Sequence, residues 1–123
     1  MEIAYWIVGG LLALVYLLAG GTKLVRAPEK LVESGMAWAG SFPAGAVKVI
    51  GLVEVLGAVG LILPPLTGIA PVLAPVAAVG LALVQVGAII THLVRGEAKA
   101  LPANIVLLLV AVAVAWIGFI VWT

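Results

Sequence analysis

A single carboxylate lies in the middle of an apolar stretch that is long enough to cross a membrane. Glu54 is near the centre of residues 47–63, a run that is otherwise uncharged except for Lys48 near its beginning. A charged side chain at the centre of a bilayer costs about 2.5 kcal/mol or more, so this acid must have a partner or a proton. Glu54 therefore indicates the interior of a helix bundle and is the first candidate site residue.

The other polar side chains in the apolar runs follow helical spacing. Steps of three and four residues from each of them pass through small residues, which gives every run one small-and-polar stripe. The predicted stripes run from Tyr5 to Lys23, from Val47 to Leu61, from Ala78 to His92 and from Asn104 to Trp122. At 1.5 Å per residue, Tyr16 lies about 10 Å from Lys23 along its helix, and Gln85 lies about 10 Å from His92. The stripes predict two polar layers, a deeper one with Tyr16, Glu54 and Gln85 and one nearer a membrane surface with Lys23, His92 and Asn104.

Two interpretations of the deeper layer are open. It binds a small molecule, with Glu54 accepting a hydrogen bond from Tyr16, Gln85 or the ligand, or it is a hydrogen-bond network that fixes helix packing. Interhelical hydrogen bonds contribute only about 0.6 to 2 kcal/mol in membranes, less than a central charge costs, so packing alone explains the acid poorly. Ligand binding is the favoured interpretation, with Lys23 or His92 as candidate charge partners of Glu54.

The residues of the layer nearer the surface give weaker signals. A single histidine near a helix end is most often interfacial, and Lys23 and Arg95 are expected to extend their charged groups to the membrane surface. Asn104 can also be explained as a cap of the last helix, after Pro102. With no cysteine and one histidine, the chain is expected to hold no metal ion, no haem and no intrinsic cofactor.

Membrane helices are the elements that must position these residues. The 123-residue chain is 66% hydrophobic and 9% charged, whereas soluble proteins are about 45 to 50% apolar and about 25% charged. Apolar runs at residues 3–23, 46–63, 69–92 and 103–122 are each near the roughly 20 residues that span a bilayer. The sequence predicts one all-α domain over residues 1–123, an integral membrane four-helix bundle with antiparallel neighbours. Its scattered basic residues form no stripe that would follow phosphates, so no nucleic acid partner is expected.

The basic residues predict the orientation of the bundle. All six lie in or beside the first and third connections, and none lies in the second connection or at either end. Because cytoplasmic loops accumulate Lys and Arg, the two charged loops are predicted to face the cytoplasm and both termini the outside. Trp38 and Phe42 are then expected to anchor the cytoplasmic side, and the aromatic residues near the termini the other side.

The first connection is predicted to contain a short interfacial helix between the first two spans. Pro28 and the following Glu-Lys-Leu-Val-Glu are typical of a first helical turn. An irregular linker is the alternative, because Gly35 and Gly40 interrupt the pattern. The apolar side of the helix would consist of Leu31, Val32, Met36, Ala39 and Phe42.

The second connection is predicted to be a compact turn. Residues 64–68 read Pro-Pro-Leu-Thr-Gly, carry no charge and are rich in residues that stop helices. Pro71 and Pro75 would fall in the first turns of the third span, where a missing N–H is tolerated. The second and third spans are therefore expected to be antiparallel neighbours.

Four segments of the chain, taken in order, match the pattern of a known family. They are Ala-Gly-Gly-Thr-Lys-Leu at 19–24, Ile-Gly-Leu-Val-Glu-Val-Leu-Gly-Ala-Val-Gly-Leu-Ile-Leu-Pro at 50–64, Thr-Gly-Ile-Ala-Pro-Val-Leu-Ala-Pro-Val-Ala-Ala at 67–78 and Thr-His-Leu-Val-Arg-Gly-Glu at 91–97. Nearly the whole chain resembles the DoxX-like family of small four-helix membrane proteins. The resemblance implies a compact bundle and a loose association with quinone reduction, without an agreed catalytic residue. The residues that are typical of the pattern are Lys23, Glu54, His92, Arg95 and Glu97.

Two functions of different classes are therefore considered. In the first, the protein is an accessory membrane subunit of a redox system that holds a quinone or lipid headgroup near Glu54, Tyr16 and Gln85, with the tail in the apolar outer half of the bundle. Electrons would come from a separate partner. In the second, it is a noncatalytic assembly or scaffold protein whose small-residue faces contact other membrane proteins or further copies of itself. In neither is the chain expected to be an enzyme on its own, and its catalytic residues are unknown.

Overall fold

The structure is a computed structural model that describes residues 1–33, 35 and 37–123. The described residues form five α-helices and no strand: α1 (Glu2–Val25), α2 (Pro28–Glu33), α3 (Ala44–Thr67), α4 (Leu73–Val94) and α5 (Leu101–Val121). Single 3-10 turns, Ala37–Ser41 and Ala98–Ala100, precede α3 and α5. The Tyr5 hydroxyl near the start of α1 contacts Leu61 near the end of α3, and the connections from α3 to α4 and from α4 to α5 are short, so consecutive long helices run antiparallel.

The long helices α1, α3, α4 and α5 form a closed ring. Helix α1 packs on α3 and α5, and α4 packs on the same two helices from the opposite side. Each of the four is long and apolar enough to cross a membrane. The predicted all-α membrane four-helix bundle is confirmed, and the protein is a multi-pass membrane protein.

Helical spacing identified the inward faces correctly. The buried residues of α1 include every position of its predicted stripe, from Tyr5 to Lys23. The predicted stripe of α3 is likewise buried along its length, from Val47 through Glu54 to Leu61. These stripes are inward because the alternative would expose their polar members to hydrocarbon.

Two glycines bring α1 and α3 into backbone contact. A Cβ added to Gly20 would lie 2.6 Å from the carbonyl oxygen of Gly51, and one added to Gly51 would lie 2.8 Å from the carbonyl oxygen of Gly20. Small residues permit such close approach between membrane helices. The crossing is adjacent to Glu54, whose Cβ would lie 2.9 Å from a Cβ at position 20.

The hydrophobic core fills the half of the bundle that contains the chain termini, here called the terminal half. Buried residues from all four long helices meet there, among them Leu12, Leu61, Leu81 and Val114, which are at most 2% exposed. At the end of this half, the rings of Tyr5, Trp6 and Trp122 pack edge to face with centroids 5.4 to 5.9 Å apart. The opposite half, which adjoins the two charged connections, is called the loop half.

The prediction of a turn at residues 64–68 was wrong, because α3 continues through Pro64 and Pro65 to Thr67. Proline has no N–H, so Pro65 cannot donate to the carbonyl of Leu61 one turn earlier. The Tyr5 hydroxyl donates to this carbonyl instead, at 2.6 Å. A proline inside a membrane helix is tolerated when the freed carbonyl finds another donor. The helix ends at Gly68, which has a left-handed φ of 74°, and α4 begins at Leu73 rather than at Ile69.

The first connection contains less helix than predicted. After α2, Gly35 adopts a φ of 105°, and the chain resumes in the Ala37–Ser41 turn. Leu31 and Ala39 are buried together with Val47 of α3, and Trp38 and Phe42 pack against them. Val32, expected on the apolar side, is exposed, and Met36 lies outside the described residues. Placement of this segment on the membrane surface stays a prediction.

Candidate functional site

The Gly20–Gly51 crossing brings Lys23 of α1 to Glu54 of α3. The Lys23 Nζ lies 2.7 Å from the Glu54 Oε1, and the two side chains are 8% and 5% exposed. The Lys23 Nζ also lies 5.7 Å from the centroid of the Trp38 ring, within the range of a cation–π contact. Glu54 therefore has a buried cation as its partner.

The expectation that Lys23 extends to the membrane surface was wrong. Lys23 is in the last turn of α1 and is long enough to reach the surface, but Gly51 leaves room for its stem against α3. An ammonium that turns inward here meets a carboxylate, and the pairing lowers the cost of burying either charge. The alternative named for Glu54, in which Lys23 is its charge partner, is the one observed.

A second polar pair links α1 to α4. The Gln85 Nε2 donates to the Tyr16 hydroxyl at 2.5 Å, and this hydroxyl is 3.5 Å from the carbonyl oxygen of Leu81. Both side chains are buried, and the Gln85 Oε1 has no hydrogen-bond partner among the described residues. Tyr16 and Gln85 thus bond to each other, while the partner of Glu54 is Lys23.

His92 belongs to a charged cluster at the end of α4. Its Nδ1 lies 3.0 Å from the Glu97 Oε1, and the Arg95 Nε donates to the same oxygen at 3.0 Å. Gly96, with a φ of 71°, turns the chain so that Glu97 can face back to the helix. The hydrogen bond from His92, together with Arg95, lowers the pKa of the Glu97 carboxyl below its ordinary value. Glu97 was noted only through the family resemblance, since its own sequence context is that of a loop acid.

Asn104 is the fourth residue of α5 and does not cap it. The N-cap position is Ala100, and the Asn104 Nδ2 donates to the Ala100 carbonyl at 3.0 Å. Pro102 lies at the start of the helix, where its missing N–H is tolerated, so the helix begins before Asn104. The side-chain amide is thereby held at the loop-half end of α5, and among the described residues no donor bonds to its Oδ1, which can accept from another partner.

All six predicted residues line one cavity of about 500 Å³ in the loop half of the bundle. Tyr16, Glu54 and Gln85 lie on its deeper side, and Lys23, His92 and Asn104 lie toward the charged connections. Most of the remaining wall is apolar. Two further residues come from the first connection, Trp38 and Phe42, which the sequence had indicated only as interfacial anchors.

The fold and this cavity define a class, that of small multi-pass membrane proteins with a polar site inside a four-helix bundle. The family model of the DoxX-like family matches residues 7–114, nearly the whole chain, and the protein belongs to this family. No curated protein and no solved structure is significantly similar to the chain.

Proposed function

We propose that the protein binds a neutral amphipathic molecule, a quinone or a neutral lipid, with its headgroup in the cavity of the loop half. The observation that carries the proposal is the cavity itself, which has a polar wall inside an otherwise apolar bundle. Its volume of about 500 Å³ lies in the range of small-molecule sites, about 300 to 1,000 Å³. A polar wall of this kind orients a headgroup, and the apolar remainder accepts the first part of a chain.

The charges around the cavity favour a neutral headgroup. Lys23 is paired with Glu54, and Arg95 is paired with Glu97, so each cation has a carboxylate within 3.0 Å. An anionic phospholipid headgroup would have to compete with one of these carboxylates for its cation. A carbonyl or hydroxyl group needs no such exchange, because hydrogen bonds to a neutral group leave both ion pairs intact.

The hydrogen-bonding capacity of the wall suits oxygen-bearing rings and esters. Lys23 has three ammonium donors, and Glu54 occupies one of them. His92 has one ring nitrogen engaged with Glu97, which leaves Nε2 for a ligand, and the Asn104 carbonyl is available as an acceptor. A quinone carbonyl can accept from Lys23, and a quinol or diacylglycerol hydroxyl can donate to Asn104. A redox change of a bound quinone would need electrons from a separate protein.

Native mass spectrometry of the purified protein tests this proposal. Delipidated wild type is titrated with a long-chain alkylbenzoquinone, with diacylglycerol and with an anionic phospholipid, and bound mass is quantified. We expect one of the two neutral amphipaths to bind at one copy per chain and the phospholipid to bind no better than bulk detergent. A wild type that holds neither neutral probe, or that prefers the anionic lipid, rejects the proposed function.

Variants of the Lys23–Glu54 ion pair are titrated in the same experiment. Glu54→Gln keeps an acceptor in the same place, and the double variant Lys23→Met/Glu54→Leu removes both charges while leaving no unpaired one. We expect the double variant to fold with an unchanged circular dichroism spectrum and to lose the neutral amphipath. Retention of the ligand by this folded double variant would exclude Lys23 and Glu54 from the site.

We further propose that both termini face outside, which places the cavity on the cytoplasmic side. The support is the distribution of Lys and Arg, all of which lie in or beside the first and third connections. The chain has no cysteine, so Glu2→Cys and Ala98→Cys can be labelled separately in intact cells with a membrane-impermeant maleimide. Labelling of position 2 and protection of position 98 are expected, and the reverse pattern would overturn the orientation.

A further inference from the structure

The ligand's hydrocarbon chain needs a route out of the cavity. The sequence suggested that the chain would lie in the apolar outer half of the bundle, which is the terminal half. Leu12, Leu61, Leu81 and Val114 pack there with at most 2% exposure, and none of them lines the cavity. A hydrocarbon chain longer than the cavity is therefore expected to leave between two helices into the lipid.

Helices α3 and α4 are in close contact on the side of the cavity that faces the terminal half. A Cβ added to Gly57 would lie 2.6 Å from the Leu81 side chain, and one added to Gly60 would lie 2.9 Å from Ala77. One turn further toward the loop half, both helices contribute residues to the cavity wall, from Val53 on α3 and from Val84 on α4. The two helices thus pack tightly at one end and flank the cavity at the other.

The cavity wall between α3 and α4 reaches the outside of the bundle. Val49 and Val53 line the cavity and are 60% and 42% exposed, and Gly87 of α4 lines it and is also exposed. A Cβ at Gly87 would meet nothing within 4 Å, so there is open space at this position. These three residues carry no polar side chain, and in a membrane their outer surfaces face hydrocarbon.

We propose that the gap bordered by Val49, Val53 and Gly87 is a lateral portal through which the hydrocarbon tail of the bound amphipath passes from the cavity into the bilayer. This inference rests on the proposed function and adds the ligand's class, a membrane-dissolved molecule with a long chain, and the side of the bundle through which it enters. Its headgroup bonds to the polar wall, and its chain crosses between α3 and α4.

Gly87→Leu tests the portal, because a leucine side chain fits the open space at this position and narrows the gap. Gly80→Leu is the matched control: it lies on the same helix, its Cβ also meets nothing within 4 Å, and it does not line the cavity. Both variants replace glycine by leucine in the same helix and gain the same helix propensity. A difference in ligand binding between them therefore depends on the position alone. Dissociation constants are measured by native mass spectrometry for a long-chain alkylbenzoquinone and for the same ring without the chain.

We expect Gly87→Leu to weaken binding of the long-chain probe at least tenfold and to leave the chainless ring within twofold, while Gly80→Leu changes neither. Equal weakening of both probes by Gly87→Leu, or no weakening of either, would overturn the portal while the proposed function stands. Val15 of α1 also lines the cavity and is 42% exposed, so Val15→Phe is a third variant. Selective loss of the long-chain probe in Val15→Phe alone would place the exit beside α1 and refute the portal. A wild type that binds neither probe rejects the proposed function together with the portal.

Discussion

Lys23→Met measures what the buried ion pair contributes to the bundle. The substitution keeps the length of the side chain but leaves Glu54, which is 5% exposed, without a cation within ion-pair distance among the described residues. A glutamic acid in water has a pKa of about 4.3, so holding it protonated at pH 7 costs about 3.7 kcal/mol. Loss of one partner of a buried pair costs about 3 to 5 kcal/mol, and protonation limits the loss. We expect the free energy of unfolding to fall by about 3 to 4 kcal/mol at pH 7.

The pH dependence distinguishes this explanation from a simple packing defect. In the variant, the native protein holds a proton on Glu54 that the unfolded chain releases above pH ~4.3, so stability falls as pH rises. Lowering the pH from about 7 to about 5 should return about 1.4 kcal/mol per unit. The double variant Lys23→Met/Glu54→Leu should recover most of the loss at any pH, because an apolar pair of similar volume replaces the ions.

The assay is unfolding by dodecyl sulfate in mixed micelles, followed by far-ultraviolet circular dichroism at several pH values. Lys48→Met is the control, because the Lys48 Nζ donates to the Leu24 carbonyl on the exposed surface, where such a bond contributes about 1 kcal/mol or less. A loss in Lys23→Met below about 1 kcal/mol, or a larger loss that does not change with pH, would refute the reasoning about the buried pair.

Three further outcomes are expected in the same assay. Gly20→Ala should destabilise by about 1 to 3 kcal/mol, because its Cβ would lie 2.6 Å from a backbone oxygen of α3, whereas Gly21→Ala, which meets nothing within 4 Å, should be neutral or stabilising. Tyr5→Phe should cost about 1 to 3 kcal/mol, because it leaves the Leu61 carbonyl without its donor. The pKa of Glu97 is lowered in the folded protein, so the stability that Glu97 contributes is present above its ordinary pKa and is lost as pH falls through the lower folded value. The stabilities of wild type and Glu97→Gln should therefore converge in acid. The first expectation would be contradicted by equal stability of Gly20→Ala and Gly21→Ala, and the second by a Tyr5→Phe variant as stable as wild type. The third would be contradicted by a stability difference between wild type and Glu97→Gln that does not change with pH.

The candidate site was predictable to the extent that it depends on position along a helix. Steps of three and four residues fix which side chains share a face, and the rise per residue fixes their depth, so the helical pattern alone groups the six candidate residues. Contacts between faces were less predictable. The sequence left several partners open for Glu54, either at its own depth or in the next layer, and the structure shows Lys23, whose flexible stem reaches the carboxylate from that next layer.

The helix ends were predicted least well, because local propensity competes there with a distant donor. Pro64 and Pro65 indicate a turn by every local rule, and α3 nevertheless continues to Thr67. Tyr5, near the other end of the chain, supplies the hydroxyl that one of the freed carbonyls needs. No pattern within residues 60–68 carries that information.

The sequence by itself determined the class of protein, the four spans, the inward faces and the depth of each polar residue, because hydrocarbon excludes unpaired polar groups from the outside of a bundle. The tertiary structure decided which polar residues are partners, where the cavity lies and which helices flank it. Those features depend on how closely two neighbouring helices approach each other. Opposed glycines such as Gly20 and Gly51 permit the close approach, and they face each other only when both helices have the right rotation and the right position along their axes.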